Sequence, residues 1–154
     1  MPSMIFVNLP VADLAASMAY YKALGFDHNP QFTDETAACI VISETIFVMA
    51  LTHAKFKEFS PLPIPDAKAG AQALYALSRD SREAVDAIAE AGLKAGGREF
   101  RPAQDMGFMY SRAVADIDGH VWEYVWMDMS GMPTEYGTLL GGRSRPHPEV
   151  RSEA

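Results

Sequence analysis

Glu123 is the one acid in a strand-like run, Gly119 to Trp126, that is otherwise aromatic and aliphatic. A carboxylate buried without a partner is costly, and it either finds a counter-charge or takes up a proton. The residues leave three interpretations open. Glu123 is one half of an internal ion pair, a ligand-facing or catalytic carboxylate acting as a general base, or a metal ligand.

Arg112 is the candidate partner for the ion pair. If Asp118 and Gly119 form a two-residue hairpin turn, Val114 lies opposite Glu123 and Arg112 is its diagonal neighbour on the same face. A shift of one residue in the register would remove this contact.

The elements that position Glu123 follow one order twice. Asp13 is a good N-cap for a first helix that Gly25 ends, and Asp80 and Glu83 are spaced as a capping box for a second. The first copy has predicted strands near 4–9, 27–32, 36–42 and 45–52, and the second near 72–79, 98–103, 107–115 and 120–127. The sequence therefore predicts an α+β fold of two tandem β-α-β-β-β modules.

These modules make one predicted domain over residues 1–130, with module one at 4–52, a linker at 53–70 and module two at 71–127. Alternating prolines predict an extended linker, whose phenylalanines either pack over a cavity or partner subunit or patch the edge of the core. The Gly-, Pro-, Ser- and Arg-rich residues 131–154 are predicted to be a partly disordered tail.

Composition excludes several classes of protein. The formal net charge of −7 argues against nucleic acid and mildly favours cationic or neutral small ligands. No apolar stretch approaches the roughly 20 residues that cross a bilayer, so no membrane partner is expected. A single cysteine, Cys39, excludes an internal disulfide, and the N-terminus lacks the pattern of a secretory signal, so a cytoplasmic location is expected.

Three segments carry a family resemblance: Asn8 to Leu14, Tyr20 to Phe26, and Asp116 to Glu123. They resemble the vicinal oxygen chelate superfamily, which contains glyoxalase I, extradiol dioxygenases, fosfomycin-resistance transferases and bleomycin-resistance proteins. The resemblance spans about residues 4–127. It implies curved mixed sheets around a cavity, usually completed by dimerisation, so a homodimer is expected.

The resemblance also implies where metal ligands would lie. The corresponding positions fall on Phe6, Ala50, Leu74 and Glu123, and only the last of these is a ligand type. Because one carboxylate does not hold a catalytic metal, no cofactor is expected. A divalent metal held through Glu123 stays the alternative.

Alternation along the strands predicts the wall of the cavity, since residues i and i+2 share a face of a sheet. The bulky faces are expected to pack on helices, and the mixed faces to line an apolar cavity with a few polar groups. The predicted ligand-binding residues are Phe6, Asn8, Val48, Ala50, Leu74, Ala76, Ser78, Tyr110, Arg112 and Val121, with Glu123 as the candidate catalytic group.

These patterns favour a metal-free protein that binds a small organic ligand. The alternative is a lyase, isomerase or dioxygenase, similar to lactoylglutathione lyase, in which Glu123 is a metal ligand or general base. A structural or regulatory module without turnover is the third possibility.

Overall fold

The computed structural model describes residues 1–130, and the predicted tail at 131–154 lies outside the described residues. The strands are β1 Ile5–Val11, β2 Ala37–Val41, β3 Ile46–Thr52, β4 Leu74–Ser78, β5 Arg98–Asp105, β6 Met109–Ala115 and β7 Val121–Met127; the helices are α1 Leu14–Ala23, α2 His53–Phe59 and α3 Arg82–Lys94. None of these helices is long and apolar enough to cross a membrane.

The strands form two mixed sheets, one in each module. The first sheet has the order β1-β3-β2 and the second β4-β7-β6-β5. In each module the first strand runs parallel to the last, and the other neighbours are antiparallel. The predicted α+β fold of two modules is confirmed.

One predicted strand of the first module, at 27–32, is reduced to a single bridge between His28 and Ile40. A short 3-10 turn, Pro30–Phe32, follows directly. Pro30 has no N–H and cannot continue a ladder of hydrogen bonds, so this segment leaves the sheet after one pair.

Helix α1 begins where the sequence predicts, since the Asp13 carboxylate accepts a hydrogen bond from the amide of Ala16. It ends at Ala23, and Gly25 follows the C-cap Leu24 with a φ of 95°, in the left-handed region that glycine enters without strain. Helix α3 is capped one residue later than predicted, by Ser81 rather than Asp80.

The hydrophobic core is continuous across the two modules, between the helices and the inner faces of both sheets. Polar groups add to this docking. The Tyr21 hydroxyl of α1 donates to Asp116, Trp122 donates its ring N–H to Tyr21, and Ser17 donates to Asp118. These contacts fix α1 of module one to the β6–β7 loop of module two.

The linker is partly helical, which the prolines did not predict. Thr52 caps α2 by accepting from the amide of Lys55, and the proline-rich segment begins only after Ser60. The rest of the linker lies against Gly119, where an added Cβ would come within 2.8 Å of the Lys68 backbone nitrogen. The linker is therefore packed closely onto the β6–β7 loop.

Candidate functional site: the open sheet face and the module seam

Glu123 lies in β7 on the face of the second sheet that points away from α3. It pairs with Ala113 of β6 on one side and with Ala76 of β4 on the other. Its side chain is 22% exposed. A carboxylate between two alanines has no counter-charge from its nearest neighbours and must find one farther along the sheet.

That counter-charge is Arg101, two strands away. Arg101 pairs with Ala113 in the register, and its guanidinium reaches over this small side chain to Glu123. Arg101 Nη2 donates to Glu123 Oε1 at 2.8 Å. The ion-pair interpretation of Glu123 is therefore the one the geometry supports, with a partner that the sequence analysis did not name.

The predicted partnership with Arg112 is wrong because the hairpin loop is longer than two residues. Ala115 pairs with Val121, so Ala113 rather than Val114 lies opposite Glu123. Arg112 then projects from the other face of the sheet.

On that helix-side face, Arg112 binds carboxylates of α3 and β5. Its guanidinium lies 2.7 Å from Glu90, 3.1 Å from Glu99 and 3.3 Å from Asp86. The Tyr110 hydroxyl donates to Asp86 at 2.6 Å. The placement of Tyr110 and Arg112 on the cavity wall with Glu123 is thus corrected.

Val48 and Ala50 are also misplaced by the sequence analysis. In the parallel register, Val48 pairs with Val7 and Ala50 with Leu9, and both are fully buried in the core. Paired residues of adjacent strands share a face, so these side chains point toward the helix side and not toward the open face. Phe47 pairs with Phe6, and the two rings stack at 4.8 Å.

The remaining predicted residues divide between two places. Phe6, Leu74, Ala76 and Ser78 are exposed on the open faces of the two sheets. Asn8 and Val121 instead line a cavity at the seam between the modules. The structure therefore does not bring all the predicted ligand-binding residues together.

The seam cavity has a volume of about 250 Å³ and lies between β1, the linker, β4 and the start of β7. Its wall includes Asn8, Pro10, Phe56, Tyr75, His120 and Val121, together with residues 70–73 of the linker end. No Asp, Glu, Lys or Arg belongs to the described lining. The cavity is apolar with a few neutral or weakly basic polar groups.

His120 is the most informative polar group in this wall. Its Nε2 lies 2.9 Å from the carbonyl oxygen of Pro10. Because a carbonyl only accepts, Nε2 carries the proton, and in the neutral ring Nδ1 is left as an acceptor. This contact joins module two to β1 of module one.

Tyr75 and Asn8 supply the other polar groups. Burial raises the pKa of Tyr75, which keeps its hydroxyl protonated. The Asn8 amide donates to the carbonyl of Phe6 at 3.3 Å, so its own oxygen remains an acceptor. The predicted site did not include Tyr75, His120 or Phe56. Alternation within a strand does not show which residues meet at a seam between modules.

A divalent metal does not fit the donor set around Glu123. Within residues 1–130, no three or more His, Cys, Asp or Glu side chains are grouped so that they could hold a metal ion. The neighbours of Glu123 in the register are alanines, and its carboxylate already binds Arg101. Metal binding there would need this ion pair to break and further ligands to appear.

Comparison with known proteins supports the fold and finds a family match for the N-terminal part of the chain. Residues 4–43 match the family model described as bleomycin resistance protein-like N-terminal. A hypothetical protein from S. aureus is 26% identical, with a TM-score of 0.69 over 82% of this chain and 95% of that one. The resemblance to the vicinal oxygen chelate superfamily is supported by this N-terminal match and by the shared fold.

Two further solved structures have the same fold as this chain. A glyoxalase-related enzyme from Fulvimarina pelagi is 21% identical, with a TM-score of 0.68 over 82% of this chain and 88% of that one. A bleomycin resistance determinant encoded on the transposon Tn5 is 17% identical, with a TM-score of 0.58 over 82% and 99%. No protein of curated function matches this chain.

Proposed function

We propose that this protein binds a small, neutral aromatic molecule in the seam cavity without the help of a metal ion. The observation that carries the proposal is the cavity itself, in which apolar walls surround polar groups from both modules. Small-molecule sites have this character: apolar surface supplies most of the contact, and a few polar groups set the orientation.

The polar groups indicate the chemistry of the ligand. Nδ1 of His120 can accept a hydrogen bond, and the Tyr75 hydroxyl can both donate and accept. A planar molecule with an N–H or O–H and a carbonyl oxygen, such as an aromatic amide, matches both groups. Since the lining has no charged side chain and the chain carries a net charge of −7, a neutral ligand suits the cavity better than an anion.

The volume indicates the size of the ligand. Pockets for drug-sized molecules hold roughly 300–1,000 Å³, so a cavity of about 250 Å³ suits one or two rings. The rings of Phe56 and Tyr75 offer aromatic surface for stacking.

The alternative of a lyase, isomerase or dioxygenase that uses Glu123 gains no specific support from the geometry. As a metal ligand, Glu123 would lack companions, and as a general base it would first have to leave Arg101. The binding function is therefore the better supported of the two.

A homodimer and a cytoplasmic location remain part of the proposal. Phe6 and Leu74 expose about half of their surface on the open sheet faces. Apolar side chains of this size on an uncovered sheet favour association with a second copy. The location rests on the single cysteine and stays a prediction.

Titration of the ¹⁵N-labelled protein with benzamide tests the binding function. We expect saturable shifts of backbone amides near residues 70–73 and 119–121, which border the cavity. Replacing Tyr75 by Phe removes one hydroxyl and should weaken binding about threefold to tenfold. Tyr110→Phe is the matched control, because its hydroxyl binds Asp86 and Tyr110 is not part of the cavity wall.

Two results would contradict the proposal. One is the absence of saturable shifts at millimolar benzamide together with no response to indole or phenol. The other is saturation with shifts confined to residues outside the seam.

A further inference from the structure

Another cavity, of about 250 Å³, lies at the end of the second sheet, where β5 begins and β6 ends. Its wall comes from the linker, the turn after α3, the first residues of β5 and the β6–β7 loop. Within the described lining no residue belongs to β4 or β7, so neither Leu74 nor Glu123 takes part. We call it the end cavity; the lining residues that matter for its chemistry are Lys68, Arg98, Glu99, Phe100, Asp116 and Ile117.

Two basic side chains of the end cavity have no counter-charge. Neither Lys68 nor Arg98 takes part in an ion pair within residues 1–130. The chain has 20 acidic and only 13 basic residues, so acidic partners are not scarce. Two uncompensated cations on the wall of one small cavity favour an anionic ligand.

The two acidic side chains of the same wall already have internal partners. Glu99 accepts a hydrogen bond from Arg112 at 3.1 Å. Asp116 is 3% exposed and accepts from the Tyr21 hydroxyl and from two backbone amides of its own loop. Neither carboxylate therefore neutralises Lys68 or Arg98.

Lys68 and Arg98 are both anchored next to the β6–β7 loop. The side chain of Lys68 lies against Gly119, where an added Cβ would come within 2.8 Å of the lysine Cγ. Arg98 pairs with Ala115, the last residue of β6. Both residues are exposed, so their charged ends remain accessible to a small molecule from solution.

Phe100 gives the end cavity an apolar surface beside these charges. It is 45% exposed, and Ile117 adds further apolar wall. An aromatic ring in the ligand gains contact area against such a surface. A cavity of about 250 Å³ suits a single ring that carries one small acidic group.

We propose that the end cavity binds the carboxylate of a small aromatic acid. Lys68 and Arg98 supply the counter-charges, and Phe100 contacts the ring. This site is separate from the seam cavity and does not depend on the proposed function.

Titration of the ¹⁵N-labelled protein with benzoate tests this inference. We expect saturable shifts of backbone amides at residues 67–68, 96–100 and 115–117. Lys68→Gln and Arg98→Gln should each weaken benzoate binding about threefold, and the double variant about tenfold, because ion pairs with exposed side chains are worth little individually.

Lys94→Gln is the matched control for the loss of charge. Lys94 is exposed in the last turn of α3, two residues before Gly96, and is not part of the cavity wall. This variant changes the net charge as much as Lys68→Gln does, so a purely long-range effect would appear in both. We expect it to change the affinity by less than about 1.5-fold.

Phe100→Ala tests the apolar part of the site. It should weaken benzoate about threefold to tenfold and leave the binding of inorganic phosphate, which has no ring, unchanged.

The inference is overturned if benzoate shifts residues 96–100 no more strongly than benzamide, its neutral isostere. It is also overturned if Lys68→Gln and Arg98→Gln weaken benzoate no more than Lys94→Gln does. Loss of affinity in neither ligand on Phe100→Ala, or tighter binding of phosphate than of benzoate, would contradict an aromatic acid. Shifts at residues 70–73 report on the seam cavity, so either site can fail while the other stands.

Discussion

Tyr21 and Asp116 join the two modules through one buried hydrogen bond of 2.5 Å, in which the phenol of α1 donates to the carboxylate of the β6–β7 loop. Asp116 is 3% exposed and also accepts from the backbone amides of Asp118 and His120. The Trp122 ring N–H donates to the same Tyr21 hydroxyl. One hydroxyl thus connects a helix of module one to the last hairpin of module two.

Replacing Tyr21 by Phe should lower the free energy of unfolding by about 1–3 kcal/mol, because Asp116 Oδ2 and the Trp122 ring N–H both lose their hydrogen bond to the buried hydroxyl. Urea denaturation followed by tryptophan fluorescence measures this loss. Tyr110→Phe is the control and should cost less, since the Tyr110 hydroxyl is only partly buried. Equal losses in the two variants would mean that the Tyr21 bond contributes little to the docking of the modules.

Asp116 should make the protein less stable as the pH rises. Burial raises the pKa of Asp116 above its usual value of 3.8, although its hydrogen bonds and His120 act in the opposite direction. Between 3.8 and the raised value, the folded state holds more protons than the unfolded state, so stability from this group is present at low pH and lost as the pH rises. In Asp116→Asn this contribution disappears.

The measurement is the free energy of unfolding of both proteins between pH about 4 and about 7. We expect the stability of the natural protein, relative to Asp116→Asn, to fall across this range. Asp105 gives the opposite sign, since its hydrogen bond to Arg82 lowers its pKa to about 2. Its contribution is present above pH 3.8 and lost as the pH falls toward about 2. Asp105→Asn should therefore lower the stability by a constant amount above pH 3.8 and remove the pH dependence of this contribution below it.

Gly119→Ala should destabilise the protein more than Gly107→Ala. Both glycines have positive φ, 101° and 81°, so both variants suffer the same kind of backbone strain. Only at Gly119 would the new Cβ also meet the linker, within 2.8 Å of Lys68.

We expect a loss of about 1 kcal/mol at Gly107 and a further 1–3 kcal/mol at Gly119, measured by chemical denaturation. Gly119→Ala should also weaken benzamide binding, because the linker forms part of the seam cavity. If the two variants lose the same stability, the linker is not held against this loop as described.

Metal analysis tests the role of Glu123. Protein purified without chelators should contain zinc, nickel, manganese and iron only at background levels, because the carboxylate binds Arg101 and lacks further ligands. Glu123→Gln should leave those levels unchanged. Stoichiometric metal that is lost in this variant would refute the metal-free proposal.

Local sequence patterns predicted much of the fold. Asp13 and Gly25 predicted the two ends of α1 to within about two residues. The repeated order of elements predicted the two modules. These features depend on neighbours within a few residues, so they can be recognised without knowing what packs against them. Helix α2 was not predicted, because the prolines after Ser60 indicate an extended chain and this pattern was extended to the whole linker.

The sequence by itself determined which side chains alternate along each strand, and it identified Glu123 as the acid that needs a partner. Only the tertiary structure decided which faces meet. The β6–β7 register places Ala113 opposite Glu123, so the ion-pair partner of Glu123 is Arg101 and not Arg112. The β1–β3 register places Val48 and Ala50 in the core. Register depends on loop length and on packing between distant segments, and a shift of one residue reverses the face of every side chain.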